Sequence, residues 1–193
     1  MSNLTLLIGR KGSGKSTTFR DLILGLDQPC LIIDPGAAPV YSQSGFPLSQ
    51  PEEVASFFRD GGNKVARITD VVNKRRLVAN VFGYDFDSGR IVNSNAFLNG
   101  NLFMEDAGSY ITGNTTEAVK GCLKAHKQYG LNLFLSYHSI DEISKEIFRL
   151  VPDHLILKKT GDQKAFGRID KAGDFARYEA AKEAFYKAKF YGY

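Results

Sequence analysis

Gly9-Arg10-Lys11-Gly12-Ser13-Gly14-Lys15-Ser16 matches the pattern G-x-x-x-x-G-K-[ST] in full. The chemistry that spacing serves is the holding of a polyphosphate. Glycines let the backbone curl so that consecutive N–H groups point inward at an anion. A helix opening near Lys15 adds its positive end to the same spot. Lys15 then reaches the β- and γ-phosphates, the Ser16 hydroxyl is a ligand for Mg2+, and Thr17 lies toward the α-phosphate. An apolar run at residues 4–8 precedes the loop and a helical stretch at 15–25 follows it. That is the strand–loop–helix order the mechanism requires, so a bound nucleotide is expected.

Holding a triphosphate does not cleave it. Cleavage needs a metal opposite the loop and a group that orients water. Leu102-Phe103-Met104-Glu105-Asp106 is an apolar run ending in adjacent carboxylates. Strand alternation sends those two side chains in different directions at the carboxyl end, where ligands bind in open α/β sheets. Glu105 is expected on the metal with Ser16, and Asp106 on the attacking water. The acids run opposite to the more usual Asp-then-Glu, which leaves an exchange of the two roles open. A second run, Leu133-Phe134-Leu135-Ser136-Tyr137-His138-Ser139, ends in polar groups. Ser136 and His138 are its candidates for touching the γ-phosphate or the water, with His138 at the tip. The acids also suit the start of a solvated loop, and a lone histidine suits a surface position.

These residues need a scaffold. Short apolar runs at 4–8, 30–33, 64–69, 102–104, 132–137 and 154–157 read as strands. Residues 77–82 and 90–92 form a hairpin about Asp87-Ser88-Gly89 or, for 77–82, a helix. Helices are expected at 15–25, 51–59, 115–129, 141–150 and 172–191. Alternating strands and helices mean an α/β fold with a mostly parallel, doubly wound sheet flanked by helices. At 193 residues with 43% hydrophobic content the chain is one domain with room for a core, and neither disordered nor a disulfide scaffold. No apolar run approaches the roughly 18 residues that span a bilayer, and residues 1–3 lack signal-peptide features. Cys30 and Cys122 match no metal-ligand spacing and read as buried reduced thiols, so a cytoplasmic location is expected.

In order, GRKGSGKS (9–16), a second strand ending IIDPG (32–36), FMED (103–106) and FLSYHS (134–139) resemble the HerA–FtsK superfamily of P-loop ATPases. Residues 153–162 resemble that family's following strand and turn, so the resemblance runs from about residue 4 to 162. Members usually place glutamine at the sensor tip, where this chain offers His138. The small size resembles the packaging ATPases of tailless, membrane-containing viruses. The resemblance implies a RecA-like P-loop NTPase of the additional-strand, catalytic-glutamate type, with Walker A at 9–16 and Walker B at 103–106. It implies a Mg2+-dependent ATP hydrolase that moves double-stranded DNA in viral genome packaging. It also implies a pentameric or hexameric homo-oligomeric ring, capsid or vertex partners, and a place in host cytoplasm or virion. Such rings supply an arginine to the neighbour's γ-phosphate, and Arg149 and Arg168 are the candidates.

The formal charge of +4 is compatible with an anionic partner without requiring one. From Lys158 onward nine basic residues face five acids, so the whole surplus lies there, interleaved with aromatic side chains. The expected division is an ATPase domain at 1–171 and a basic, aromatic helical tail at 172–193. That tail suits core packing as well as docking on nucleic acid or capsid. Lys120, Lys124 and Lys127 share one side of the 115–129 helix, a solubilising face or a phosphate track. Two rival functions fit a phosphate loop: a small nucleotide or metabolite kinase, and a nucleotide-switched assembly protein. A kinase would want an arginine-rich lid and an acceptor pocket, and neither is obvious in the chain. Export-type assembly proteins generally carry a membrane anchor.

Overall fold

Residues 4–9 are buried along their whole length, as a strand covered on both faces must be. The computed structural model describes residues 2–48, 58, 64–69, 81–85, 90–91, 97–109, 111, 123–144, 147, 150 and 152–158. Within them the chain runs β1 (Leu4–Gly9), α1 (Lys15–Leu24), β2 (Cys30–Ile33), α2 (Pro39–Gln43), β3 (Val65–Ile68), β4 (Tyr84–Asp85), β5 (Arg90–Ile91), β6 (Asn101–Met104), β7 (Asn132–Tyr137) and β8 (His154–Lys158). Six strands form one sheet in the order β3-β2-β6-β7-β1-β8. Every pairing in it is parallel. β7 stands between the strand of the phosphate loop and the strand of the acidic pair, which is the additional strand the family resemblance implied.

Period-two alternation divides the core between the sheet's faces. Leu7, Ile32 and Phe103 point to one face and pack with Phe19 and Ile23 of α1 and Tyr41 of α2. Phe103 and Phe134 stack at 4.3 Å, and the edge of Phe19 meets Phe103 at 5.2 Å. Leu6, Ile8, Ile33, Met104 and Leu135 point the other way, beneath Val81, Phe82, Phe97, Ile111, Leu123 and Ile140. In α1, Lys15, Phe19 and Ile23 are buried at a spacing of four. The stripe that docks the helix therefore carries the lysine beneath the loop. Cys30 is a buried free thiol, and burial pushes its pKa up to about 11.

The structure departs from the sequence expectations in four places. α2 was not expected; Pro39 in its first turn pre-sets the backbone. The turn expected about residues 87–89 lies outside the described residues, and the strand that pairs antiparallel with 90–91 is Tyr84–Asp85, with Tyr84 opposite Ile91 and Asp85 opposite Arg90, rather than a segment ending at 82. Val81 is helical and Gly83 takes φ 71, so the strand starts only after that turn. The 115–129 helix, where described, tightens to a 3-10 turn at Ala125–Lys127 and stops at Gly130 with φ 67. The segment expected as helix 141–150 opens as a 3-10 turn, Ile140–Glu142, and Ile143 is extended at φ −79, ψ 122. The expected helices at 51–59 (Phe58 aside) and 172–191 lie outside the described residues, as does the 1–171/172–193 boundary.

One ion pair sits inside this frame. Asp34 follows β2, Arg67 lies in β3, and they are 1% and 3% exposed. Arg67 donates to Asp34 Oδ2 from Nε at 3.1 Å and from a terminal nitrogen at 2.9 Å, and also to Ser42 Oγ at 2.8 Å. Asp34 Oδ2 further accepts the Ala38 N–H at 2.8 Å, at the start of α2. Removing one partner of such a pair strands a buried charge. Asp34→Ala is therefore expected to destabilise the protein by about 3–5 kcal/mol in urea denaturation. A loss below about 1 kcal/mol would mean that Arg67 is satisfied without the carboxylate.

Candidate functional site

Register sets the site. Ile33 pairs with Met104, Met104 with Leu135, and Ile8 with Tyr137. The next residue along each strand brings Asp34, Glu105, Ser136, His138 and Gly9 to one carboxyl edge. Asp34 Oδ2, Glu105 and Ser136 share the α1/α2 face because each follows an inward apolar residue by one. Asp106 takes φ 52, which ends the strand and turns its side chain away from that of Glu105.

The loop has the geometry of an anion cradle. Gly12 and Gly14 take φ 78 and 83, the left-handed region that glycine enters without strain. A Cβ on Gly9 would collide with the Lys158 carbonyl oxygen of β8 and with Ser13 Oγ, 2.6 Å away. Ser13 Oγ is itself buried with no hydrogen-bond partner. Lys15, 7% exposed, donates from Nζ to the carbonyl oxygens of Gly9 at 2.6 Å and Arg10 at 3.2 Å. Burial lowers its pKa, against the opposing pull of Glu105, Asp106 and Glu142. Arg10, Lys11 and Thr17 are exposed, and Ser16 is half-buried in the first turn of α1. This donor set fits a nucleotide polyphosphate: glycine-curled amides, one cation, and an unpartnered hydroxyl. The Ser16 hydroxyl and the Glu105 carboxylate are oxygen groups of the kind Mg2+ takes as ligands.

The acids separate into two environments. Glu105 is 6% exposed. Its Oε1 accepts the Tyr41 hydroxyl at 2.5 Å and its Oε2 accepts the Ser136 hydroxyl at 2.7 Å. The Glu105 N–H donates to Ile33 O at 2.8 Å, extending the β2–β6 ladder to the acid itself. Ser136 Oγ in turn accepts the Asp106 N–H at 3.0 Å. Asp106 has a side chain 43% exposed, beside that of His138 at 41%. His138 Nε2 lies 3.3 Å from Asp106 Oδ1, and Nδ1 lies 3.1 Å from Lys15 Nζ. An ammonium only donates, so Nδ1 accepts and the ring proton belongs on Nε2, facing the carboxylate. The His138 N–H donates to Glu142 Oε2 at 2.9 Å.

Lys15, Asp106 and His138 are thus in one contact chain, and Glu105 joins it through Ser136. Ser136, expected at the γ-phosphate or water, is fully buried and holds the two acids instead. Tyr41 and Glu142 were not foreseen. Tyr41 had a faint signal in Asp34-Pro35-Gly36 followed by Pro39, which predicts a turn and a helix start, but nothing in the chain ties it to Glu105. Lys124 and Lys127 are exposed as expected of a solvated stripe, while Lys120, Arg149 and Arg168 lie outside the described residues. No helix among the described residues is long and apolar enough to cross a membrane.

No protein-family model matches this chain, and no curated protein matches its sequence. Solved structures do match. The genome packaging NTPase B204 from Sulfolobus turreted icosahedral virus 2, in complex with AMP, superposes with TM-score 0.69 at 21% identity, over 94% of this chain and 86% of that one. The same NTPase in complex with AMPPCP gives 0.67 at 19%, over 94% and 85%. VirB4 of Thermoanaerobacter pseudethanolicus gives 0.59 at 14%, over 90% and 81%. With its phosphate loop, parallel sheet and interposed strand, this chain has the P-loop NTPase fold of these proteins, as its resemblance to the HerA–FtsK ATPases implied.

Proposed function

We propose that this chain is a Mg2+-dependent ATPase that couples hydrolysis to movement of double-stranded DNA in viral genome packaging. The observation that carries the reading is the contact chain from Lys15 through His138 to Asp106, beside the clamped Glu105. A group that binds polyphosphate and a carboxylate open to solvent meet at one sheet edge. The likeness in fold to the B204 packaging NTPase supports the choice of a DNA-moving machine over other P-loop enzymes.

The loop amides and Lys15 hold the β- and γ-phosphates. To do so Lys15 exchanges its bonds to Gly9 O, Arg10 O and His138 for phosphate oxygens. Ser16 and Glu105 would hold Mg2+, which when bound neutralises charge on the phosphate oxygens. Asp106 Oδ1 orients the attacking water and accepts its proton. His138 Nε2–H donates toward Asp106 and keeps the carboxylate turned to the site. The products are ADP and inorganic phosphate. The 1–171 domain would form a ring with copies of itself, with Arg149 or Arg168 reaching the neighbour's nucleotide. The 172–193 tail, Lys120, Lys124 and Lys127 would be the places where DNA or capsid proteins are met. The compartment is then host cytoplasm or virion.

Phosphate release should be measured with and without duplex DNA, and in parallel with a panel of nucleotide and metabolite acceptors. The expected result is release of inorganic phosphate that DNA stimulates. Transfer of the γ-phosphoryl group to an acceptor, with no release to water, would overturn the proposal in favour of a kinase.

A further inference from the structure

Toward the carboxyl end of the sheet, adjacent strands bury the polar side chains of Arg67, Asp34, Glu105 and Ser136 on the face that α1 and α2 cover. Burying polar groups costs stability unless each is paired, and here the pairing runs in one direction, toward Glu105. Arg67 and Ala38 N–H fix Asp34 at the start of α2. The Tyr41 ring on α2 is held by Phe46, stacked at 6.2 Å, and by the Arg67 guanidinium, 5.7 Å from its centroid. Its hydroxyl then reaches Glu105 Oε1 at 2.5 Å.

We propose that Tyr41 is a positioning residue for Glu105: its hydroxyl, with that of Ser136 on the other carboxylate oxygen, fixes the plane in which Glu105 meets the metal of a bound nucleotide. The inference rests on reading the site as an ATPase's. A donor on each oxygen leaves the carboxylate no free rotation about its last bond. A carboxylate oxygen only accepts, so the Tyr41 hydroxyl is the donor of this bond. The ring is anchored without the hydroxyl. Phenylalanine would therefore keep the packing and lose only the hold on Glu105. A tyrosine serving the core alone would have no reason to place its oxygen on a buried carboxylate at the edge where the phosphate loop lies.

Metal-ligand orientation by such outer partners is worth about tenfold in metal affinity. The test measures Mn2+ affinity of the protein–AMPPNP complex by electron paramagnetic resonance, with AMPPNP binding in EDTA as the control. Tyr41→Phe is expected to weaken Mn2+ about tenfold while leaving metal-free AMPPNP binding unchanged. Turnover should recover as Mg2+ is raised. In a Glu105→Gln background the same substitution should change nothing further, because partners acting as a unit are not additive. Ser136→Ala should reproduce the Mn2+ shift even where Tyr41→Phe folds poorly. Unmoved Mn2+ affinity in both variants, or an equal shift with and without Glu105, would overturn the proposal. Wild-type protein that binds no AMPPNP would instead overturn the ATPase reading, whatever the variants do.

Discussion

Lys15→Ala is expected to lower ATP turnover by about a thousandfold, the scale set by removing a preorganised donor from a transition state whose charge it meets. Lys15 is the buried cation of the loop, held at 2.6 Å on Gly9 O and tied to His138. No other side chain within the loop's turn can replace it, since Arg10 and Lys11 are exposed. The fold should survive the change. Phe19 and Ile23 keep α1 docked, and the substitution also removes the cost of desolvating an ammonium. That cost has a pH signature. The folded pKa of Lys15 lies below its unfolded 10.5, so between the two values the unfolded chain binds the proton and the folded one releases it. Wild-type stability therefore rises relative to Lys15→Ala as pH climbs through that window, and the relative penalty is complete below it. Denaturation of both proteins from pH 7 to pH 10.5 measures it. A constant difference would mean the amine is not desolvated.

Asp106→Asn is the second large effect: ATP should bind as before and its cleavage should slow by about a hundredfold or more. The substitution is mild by design. Asp106 takes φ 52, a conformation asparagine adopts at least as readily as aspartate. The amide oxygen can still accept from His138 Nε2, now 3.3 Å from Oδ1. What is lost is the capacity to take a proton from water. The loss should fall on kcat and leave nucleotide affinity in place. Unchanged turnover would move the base to Glu105, the exchange of roles that the Glu-Asp order left open. The burial of Glu105 behind two hydroxyls argues for the fixed, metal-facing role instead.

Much of this site is legible in the amino-acid sequence itself. The loop stands out because its function imposes glycines and a lysine at fixed spacing. Gly12 and Gly14 take the left-handed angles that only those residues adopt freely. The strands at β1, β2, β6 and β7 are legible because burial on both faces demands near-continuous apolar runs, and the acids and His138 stand where those runs stop. The support around the acids is not legible. Tyr41 meets Glu105 across 64 positions and Arg67 meets Asp34 across 33, contacts that follow from sheet order and register. Ser136 reads as a ligand contact because it is polar near a strand end. Its register opposite Glu105 makes it a clamp. α2 escapes notice because five residues are too few to show a helical period.

Both substitutions have their expected effects only if the Gly9–Ser16 loop and the 105–106 acids act on one triphosphate. A crystal structure with AMPPNP and Mg2+ tests it most directly. The expected result is the γ-phosphate on Lys15 Nζ, Glu105 facing the metal, and a water in line with the terminal phosphorus within hydrogen-bond reach of Asp106. A triphosphate seated in the loop with both carboxylates turned away from its terminal phosphate would contradict it.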